Sequence, residues 1–186
     1  MMLSSALTYG EIYQPDPALP MARFGLTPFP ERQIRQFTRP LDRKLEPMDL
    51  GLRAGAKVIW KPDDSGNLPE NFMFVVTAIK QFERLKPNWD SYGALPLDDR
   101  AVVPALELAI EGVKRCFAPT AVPLCTGGLG LRWKCDEAEL EIDIGPTGAA
   151  SALLEIFATY EIVEKEDAEN PSELFSLIQR YCSAAA

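Results

Sequence analysis

The sequence of 186 residues contains no histidine, and its four cysteines include no C-x-x-C pair. These absences exclude the usual zinc-ligand patterns and every catalytic site that depends on a histidine base. No apolar run approaches the roughly 20 residues that a helix needs to cross a bilayer. The N-terminal stretch "MMLSSALTYG" has no basic residue ahead of its short apolar run, so it lacks the pattern of a secretion signal. We therefore expect a cytoplasmic protein without a membrane partner.

The cysteines stand far apart, at positions 116, 125, 135 and 182. In a reducing compartment, scattered thiols are most often ordinary core or surface residues. We predict that all four have this role. No metal site and no cofactor is expected.

Charge is distributed unevenly along the chain, whose formal net charge is −8. Residues 1–69 contain nine Lys or Arg and eight Asp or Glu, whereas residues 70–186 contain ten and nineteen. Phosphate contact needs a positive surface, so the acidic second region argues against broad nucleic-acid binding by that region.

Proline separates the same two regions. Half of the 16 prolines precede residue 69, and each one removes a backbone donor and disfavours a helical predecessor. The region also holds large apolar side chains that disordered linkers usually lack. We predict a Pro-rich, extended N-terminal arm over residues 1–68, with one short edge strand at 56–62, that lies across another protein subunit. A single α+β domain is predicted over residues 69–186.

A basic strip stands inside the arm, from residue 31 to residue 44. It has five bases against two acids. The bases, about one helical turn apart, are Arg32, Arg35, Arg39, Arg43 and Lys44. Such a strip suits the phosphates of RNA or DNA, or an acidic protein surface. The acidic domain of the same chain is one such surface, so folding back onto it is the other interpretation.

Helical periodicity appears in three parts of the domain. Apolar residues recur at helical spacing over residues 70–86, and again from about Asp98 to Phe117, where Pro104 either opens the helix or kinks its first turn. A C-terminal helix is predicted after Asn170-Pro171. Its apolar side is formed by Leu174, Leu177, Ile178 and Tyr181.

Residues 129–156 alternate between apolar and polar side chains, which predicts strands. A two-residue turn at 136–137 pairs Trp133 with Leu140 on one face. The same register places opposite charges on the other face, with Lys134 opposite Glu139 and Arg132 opposite Glu141. A three-residue loop at 146–148 returns the chain for a third strand, whose register places Leu154 opposite Leu140. The fold predicted is therefore two helices packed on a three-stranded antiparallel meander, followed by the C-terminal helix.

Acidic side chains on this meander allow two interpretations. Glu139, Glu141 and Asp143 share one strand face, as the oxygen ligands of a divalent metal do. The bases of the neighbouring strand balance most of this charge, so we predict a solvated charge face. A metal-dependent enzyme that uses the acidic strand is the less favoured alternative. Residues 161–169 lack the glycine and spacing of a calcium loop and are predicted to be a solvated linker.

The segment "NWDSYGALP", residues 88–96, joins the first two helices. No histidine or activating base stands at a predictable spacing from it, so we predict no catalytic residue there. One interpretation is that Trp89 and Tyr92 fill the gap between helices and sheet, while Asp90 accepts hydrogen bonds from backbone amides. The other is that Trp89, Asp90 and Tyr92 form a partner-binding surface.

Two segments resemble a loose group of small uncharacterised bacterial proteins. "NWDSYGALP" is similar to their Trp-Asp-x-Tyr/Glu-Gly-Ala loop, and "GGLGLRWKCDEAELEIDIGPTGAASALL" is similar to their Gly-rich strand ending in Trp. The group often occurs in mobile-element or defence gene neighbourhoods. The resemblance covers roughly residues 70–157 and implies a shared fold, but it carries over no catalytic residue.

These observations lead us to expect a non-enzymatic interaction or adaptor subunit of a larger bacterial assembly, such as a phage-defence or ribonucleoprotein complex. The partner-binding candidates are Trp89, Asp90, Tyr92 and the five bases of the 31–44 strip. A nucleic-acid-binding accessory subunit that uses this strip is the alternative.

Overall fold

The structure is a computed structural model that describes residues 47–59 and 69–186. Within these residues, three α-helices accompany a five-stranded antiparallel sheet and a separate two-stranded ladder. The predicted α+β class with antiparallel strands is confirmed. No helix in the described ranges has the length and apolar character needed to cross a membrane.

The helices are α1 (Glu70–Phe82), α2 (Val102–Arg115) and α3 (Phe175–Ala184). Short 3₁₀ helices, Asp99–Ala101 and Pro171–Leu174, precede α2 and α3. The strands are β1 (Met48–Asp49), β2 (Lys57–Val58), β3 (Thr120–Pro123), β4 (Leu129–Lys134), β5 (Ala138–Ile144), β6 (Ala150–Ile156) and β7 (Glu161–Ala168). The large sheet has the order β3-β4-β5-β6-β7, and β1 pairs with β2.

The predicted registers of the meander are confirmed. Trp133 pairs with Leu140 in the β4–β5 hairpin, and Leu140 pairs with Leu154 across β5–β6. The opposite charges also face each other as expected, with Lys134 paired to Glu139 and Arg132 to Glu141. The loop 146–148 ends in Gly148 with a φ of 93°, a conformation that glycine adopts without a Cβ penalty.

Two strands were not predicted, so the three-stranded sheet is wrong in strand number. β3 occupies the link before β4, where Pro123 is tolerated because β3 lies at a sheet edge. β7 occupies most of the segment predicted as a solvated linker. Its charged side chains are compatible with a strand because Glu161 pairs with Arg180, and Lys165 pairs with Glu173 at 2.8 Å.

The two helices that precede the sheet have shorter bounds than predicted. α1 ends at Phe82 instead of residue 86, and its end is held by Arg53, whose Nη1 donates to the Glu83 carbonyl at 3.2 Å. Asp98 caps the turn that leads into α2 by accepting from the Arg100 amide. Pro104 lies in the first turn of α2, where backbone N–H groups have no intrahelical partner, so the N–H that proline lacks is not needed.

Trp133 fills the contact between α2 and the sheet. Its side chain is fully buried, and its Nε1 donates to the Phe117 carbonyl at 3.0 Å. A Cβ placed on Gly112 of α2 would stand 2.8 Å from Cζ2 of Trp133. The helix therefore approaches the indole closely because residue 112 has no side chain.

Residues 47–59 contribute to the same core. Four apolar side chains of this segment are buried in it, namely Leu50, Leu52, Ala56 and Val58. Arg53 adds an ion pair with Asp99 at 3.1 Å. The edge strand predicted over residues 56–62 is present in part as β2, and residues 60–62 lie outside the described ranges. Residues 47–59, which were predicted to belong to the Pro-rich arm, thus pack with residues 69–186.

The prediction of ordinary thiols is wrong for two of the four cysteines. Cys116, at the end of α2, forms a disulfide with Cys182 of α3, with the Cα atoms 5.7 Å apart. Cys125 and Cys135 are free thiols. Sequence spacing could not indicate this bond, because 66 positions separate the two partners.

Candidate interaction surface

The loop of residues 88–98 is folded by its own polar groups. The Asn88 amide donates to the Ala94 carbonyl at 2.7 Å, which closes the turn. The Asn88 side-chain oxygen accepts from the Gly93 amide at 2.8 Å. Two short side chains, those of Asn88 and Asp90, hold most of the turn, since each accepts hydrogen bonds from backbone amides a few residues later.

Asp90 has the role that the sequence predicts. Its Oδ1 accepts from the amides of Tyr92 at 2.8 Å and Ala94 at 3.0 Å. These two bonds, the one from Tyr92 first, hold the pKa of the Asp90 carboxyl below its usual value. The charge of Asp90 is thus directed at the backbone of its own loop.

The backbone of this loop adopts a conformation that most residues avoid. Asn88 and Ser91 have φ values of 65° and 67°, and Gly93 has 97°. Glycine adopts such angles readily and asparagine is tolerated, but for serine the left-handed region costs about 1–2 kcal/mol. The hydrogen bonds of Asn88 and Asp90 stabilise this arrangement. Unfavourable backbone held in place by its surroundings occurs preferentially at functional sites.

The second half of the loop is fixed to the turn between β3 and β4. The Leu95 amide donates to the Cys125 carbonyl at 2.8 Å, and the Asp98 amide donates to the Gly127 carbonyl at 2.9 Å. A Cβ on Gly127 would stand 2.8 Å from the Pro96 carbonyl oxygen. With Ala94 and Leu97 also buried, the loop is fastened to the domain at several points.

The gap-filling interpretation is wrong for Tyr92, whose side chain is 93% exposed. The bond from the Tyr92 amide to Asp90 forms the turn, and Tyr92 stands at its tip. Trp89 is partly buried, and its Nε1 donates to the Leu95 carbonyl at 3.1 Å, so it supports the loop from within. The space between helix and sheet is occupied by Trp133.

Tyr92 is accompanied on this loop by Leu95, which is 56% exposed. Leu95 is not among the surface residues predicted from the sequence. Its position between Ala94 and Pro96 gave no periodic signal, because apolar spacing informs on helices and strands but not on irregular loops. The exposed pair, Tyr92 and Leu95, on a fastened loop is here called the Tyr92 surface.

The acidic strand face is balanced as predicted. Arg132 Nη2 donates to Asp143 at 2.6 Å, and its Nε stands 3.5 Å from Glu141. Lys134 and Glu139 pair at 2.6 Å, which raises the pKa of the lysine. Within the described ranges, no group of three or more His, Cys, Asp or Glu is arranged to hold a metal ion.

The remaining candidates, the five bases of the 31–44 strip, lie outside the described residues, as does the N-terminal part of the predicted arm. No protein-family model, no curated protein and no solved structure matches the chain. The resemblance carried by "NWDSYGALP" stays a prediction.

Proposed function

We propose that this chain is a non-enzymatic adaptor that binds another protein through the Tyr92 surface. The observation that carries the proposal is a tyrosine that is 93% exposed on a loop held by its own hydrogen bonds. Tyrosine provides a large, amphipathic contact area with few rotatable bonds, and it is enriched among the residues that dominate binding energies. A loop that is ordered before binding loses little conformational entropy on association.

The chemistry of the surface defines the partner. Tyr92 and Leu95 are aromatic and aliphatic, and the carboxylate of Asp90 is engaged with the loop backbone. A complementary partner offers an apolar pocket with a hydrogen-bonding group for the Tyr92 hydroxyl. This combination is typical of a protein surface, whereas a phosphate backbone requires exposed bases.

The charges singled out in the sequence support an adaptor over an enzyme. Asp90 accepts from its own loop, and the acids of β5 are paired with Arg132 and Lys134. Each of these groups has a partner within the fold that accounts for its presence. A catalytic acid or base instead needs access to a substrate and a pKa near the working pH.

The wider setting is also part of the proposal. We place the adaptor in a larger bacterial assembly, such as a phage-defence or ribonucleoprotein complex, where the N-terminal arm supplies a second contact. The cytoplasm is the location expected from the sequence. The Cys116–Cys182 disulfide argues for an oxidising compartment instead, where such bonds are typical. Nucleic-acid binding by the 31–44 strip is an alternative that concerns residues outside the described ranges.

Affinity purification with Tyr92→Ala tests the proposal. Phe74→Ala is the matched control, because Phe74 is 69% exposed on α1 and its removal also deletes one exposed aromatic ring. The full-length chain and both variants are used to purify partners from cells, and the affinity for the partner held by the unchanged chain is then measured. We expect Tyr92→Ala to weaken binding by about 2 kcal/mol, or roughly 30-fold, with an unchanged melting temperature.

Phe74→Ala is expected to bind as the unchanged chain does. Equal affinity of the Tyr92→Ala variant and the unchanged chain would show that the loop is not the docking surface. A variant that loses binding together with its melting transition would show that Tyr92 acts on stability.

A further inference from the structure

β7 is the last strand of the large sheet, eight residues long, and it pairs with β6 on one side. Within the described ranges, no strand pairs with its other side. An edge of this kind presents backbone N–H and C=O groups that another strand can bind. The length is sufficient for an extended segment of a second chain to form a ladder.

The charges of β7 differ between its two faces. On the side of α3, Glu161 and Lys165 are paired with Arg180 and Glu173. Glu164 and Glu166 are exposed, and neither has a salt bridge within the described ranges. Negative charge therefore stands uncompensated beside the open edge.

A groove of about 240 Å³ lies next to this edge. It forms where the register between β6 and β7 shifts near Ala152. Its charged lining consists of one base, Lys165, and four acids, namely Glu141, Asp143, Glu164 and Glu166. The nearest bases are already engaged, since Arg132 is shared between two acids and Lys165 is paired with Glu173. The groove suits one long basic side chain.

A second copy of β7 is a poor occupant of the edge. In an antiparallel pair of two such strands, acidic side chains would face acidic side chains, and like charges in opposing positions are destabilising. A strand with bases gains attraction at the same positions. Ile162, which is 62% exposed at the start of β7, provides an apolar contact for the same strand.

We infer that the open edge of β7 binds an extended, basic segment of a partner protein as a sixth strand, with a lysine or arginine of that segment in the acidic groove. Backbone hydrogen bonds supply the affinity, and the acids of β7 select the charge of the segment. This surface is formed by residues other than those of the Tyr92 surface, and the inference does not depend on the proposed function.

The test uses the full-length chain and a fluorescent peptide of about nine residues in which lysine and valine alternate. Binding is followed by fluorescence anisotropy. The first control is the same peptide with N-methyl groups on alternate residues, which keeps the charge but removes the donors along one edge. We expect the methylated peptide to bind at least roughly tenfold more weakly. Equal binding of the two peptides would show non-specific attraction and overturn the inference.

Protein variants test the acids. Glu164→Lys reverses a charge beside the groove, and Glu107→Lys makes the same change at an exposed site on α2. We expect Glu164→Lys to raise the Kd by roughly five- to tenfold, while Glu107→Lys changes it by less than about twofold. Equal effects of the two variants would mean that only the net charge matters, which contradicts the inference. Absence of binding to the unchanged chain also contradicts it.

One further variant tests whether the 31–44 strip of the same chain occupies the edge of β7. All five bases of the 31–44 strip are replaced by glutamine in the full-length protein. If only this variant binds the lysine peptide, the strip itself occupies the edge and the assignment to a partner protein is wrong. Equal affinity of this variant and the unchanged chain supports the partner.

Discussion

Trp133 and the aromatic residues of the 88–98 loop show two uses of the same side-chain chemistry. Trp133, a residue of β4, is fully buried against α2, whereas Trp89 is partly buried and Tyr92 is 93% exposed. The position of Trp133 follows from strand alternation, which sends every second side chain to the core face. The positions of Trp89 and Tyr92 follow from local hydrogen bonds, in which the Trp89 side chain donates to the Leu95 carbonyl and the Tyr92 amide donates to Asp90. Strand periodicity therefore locates an aromatic residue more securely than loop composition does.

The largest effect is expected from Trp133→Ala. Loss of this ring leaves a cavity between α2 and the sheet and breaks the bond to the Phe117 carbonyl, so we expect the free energy of unfolding to fall by about 3–5 kcal/mol. Trp89→Ala is expected to cost about 1–2 kcal/mol, because Trp89 is only partly buried. Chemical denaturation of both variants measures the difference. Equal losses would remove the distinction between the two aromatic sites.

An intermediate effect is expected from Gly112→Ala, which tests the packing around Trp133 by a change in α2. Alanine normally stabilises a helix relative to glycine by about 1 kcal/mol. Here the new Cβ would stand 2.8 Å from the buried Trp133 ring, and overpacking of this kind costs about 1–3 kcal/mol. We expect a net loss of stability in thermal denaturation. A more stable variant would show that α2 moves away from Trp133 without cost.

The smallest effect is expected from Asp90→Asn, which keeps the side-chain acceptor but removes the charge. The pKa of Asp90 is lowered in the folded protein, so its charge stabilises the fold above the ordinary carboxyl pKa of 3.8, and this stabilisation is lost as the pH falls through the lowered value. The melting temperatures of the variant and the unchanged chain should therefore differ at pH 7 and converge at acidic pH. A difference that is independent of pH would assign the effect to geometry alone.

The meander could be predicted because two signals agreed. The apolar residues and the opposite charges of residues 129–156 require the same register, and the structure has that register. β7 could not be predicted in this way, since most of its residues are charged. Glu161 and Lys165 are accommodated in the strand only because they form ion pairs with α3 and with the 3₁₀ helix that precedes α3.

The candidate site was predictable only in part. The role of Asp90 followed from the tendency of aspartate to bond nearby amides. The exposure of Tyr92 depends on left-handed backbone at Asn88 and Ser91, which no composition rule indicates for serine. The exposure of Leu95 could not be predicted without the contact between the loop and the β3–β4 turn. That contact joins residues far apart in sequence.

The bond between Cys116 and Cys182 makes residues 116–182 a covalent ring, and all five strands of the large sheet lie inside it. Helix α1, the 88–98 loop and the whole of α2 lie on open chain outside the ring. In the unfolded protein the ring limits how far the strands can separate, so part of the entropy cost of assembling the sheet is already removed. The loop that carries Tyr92 receives no such restriction, and its order rests on the short-range bonds of Asn88 and Asp90 and on the bonds from Leu95 and Asp98 to the β3–β4 turn.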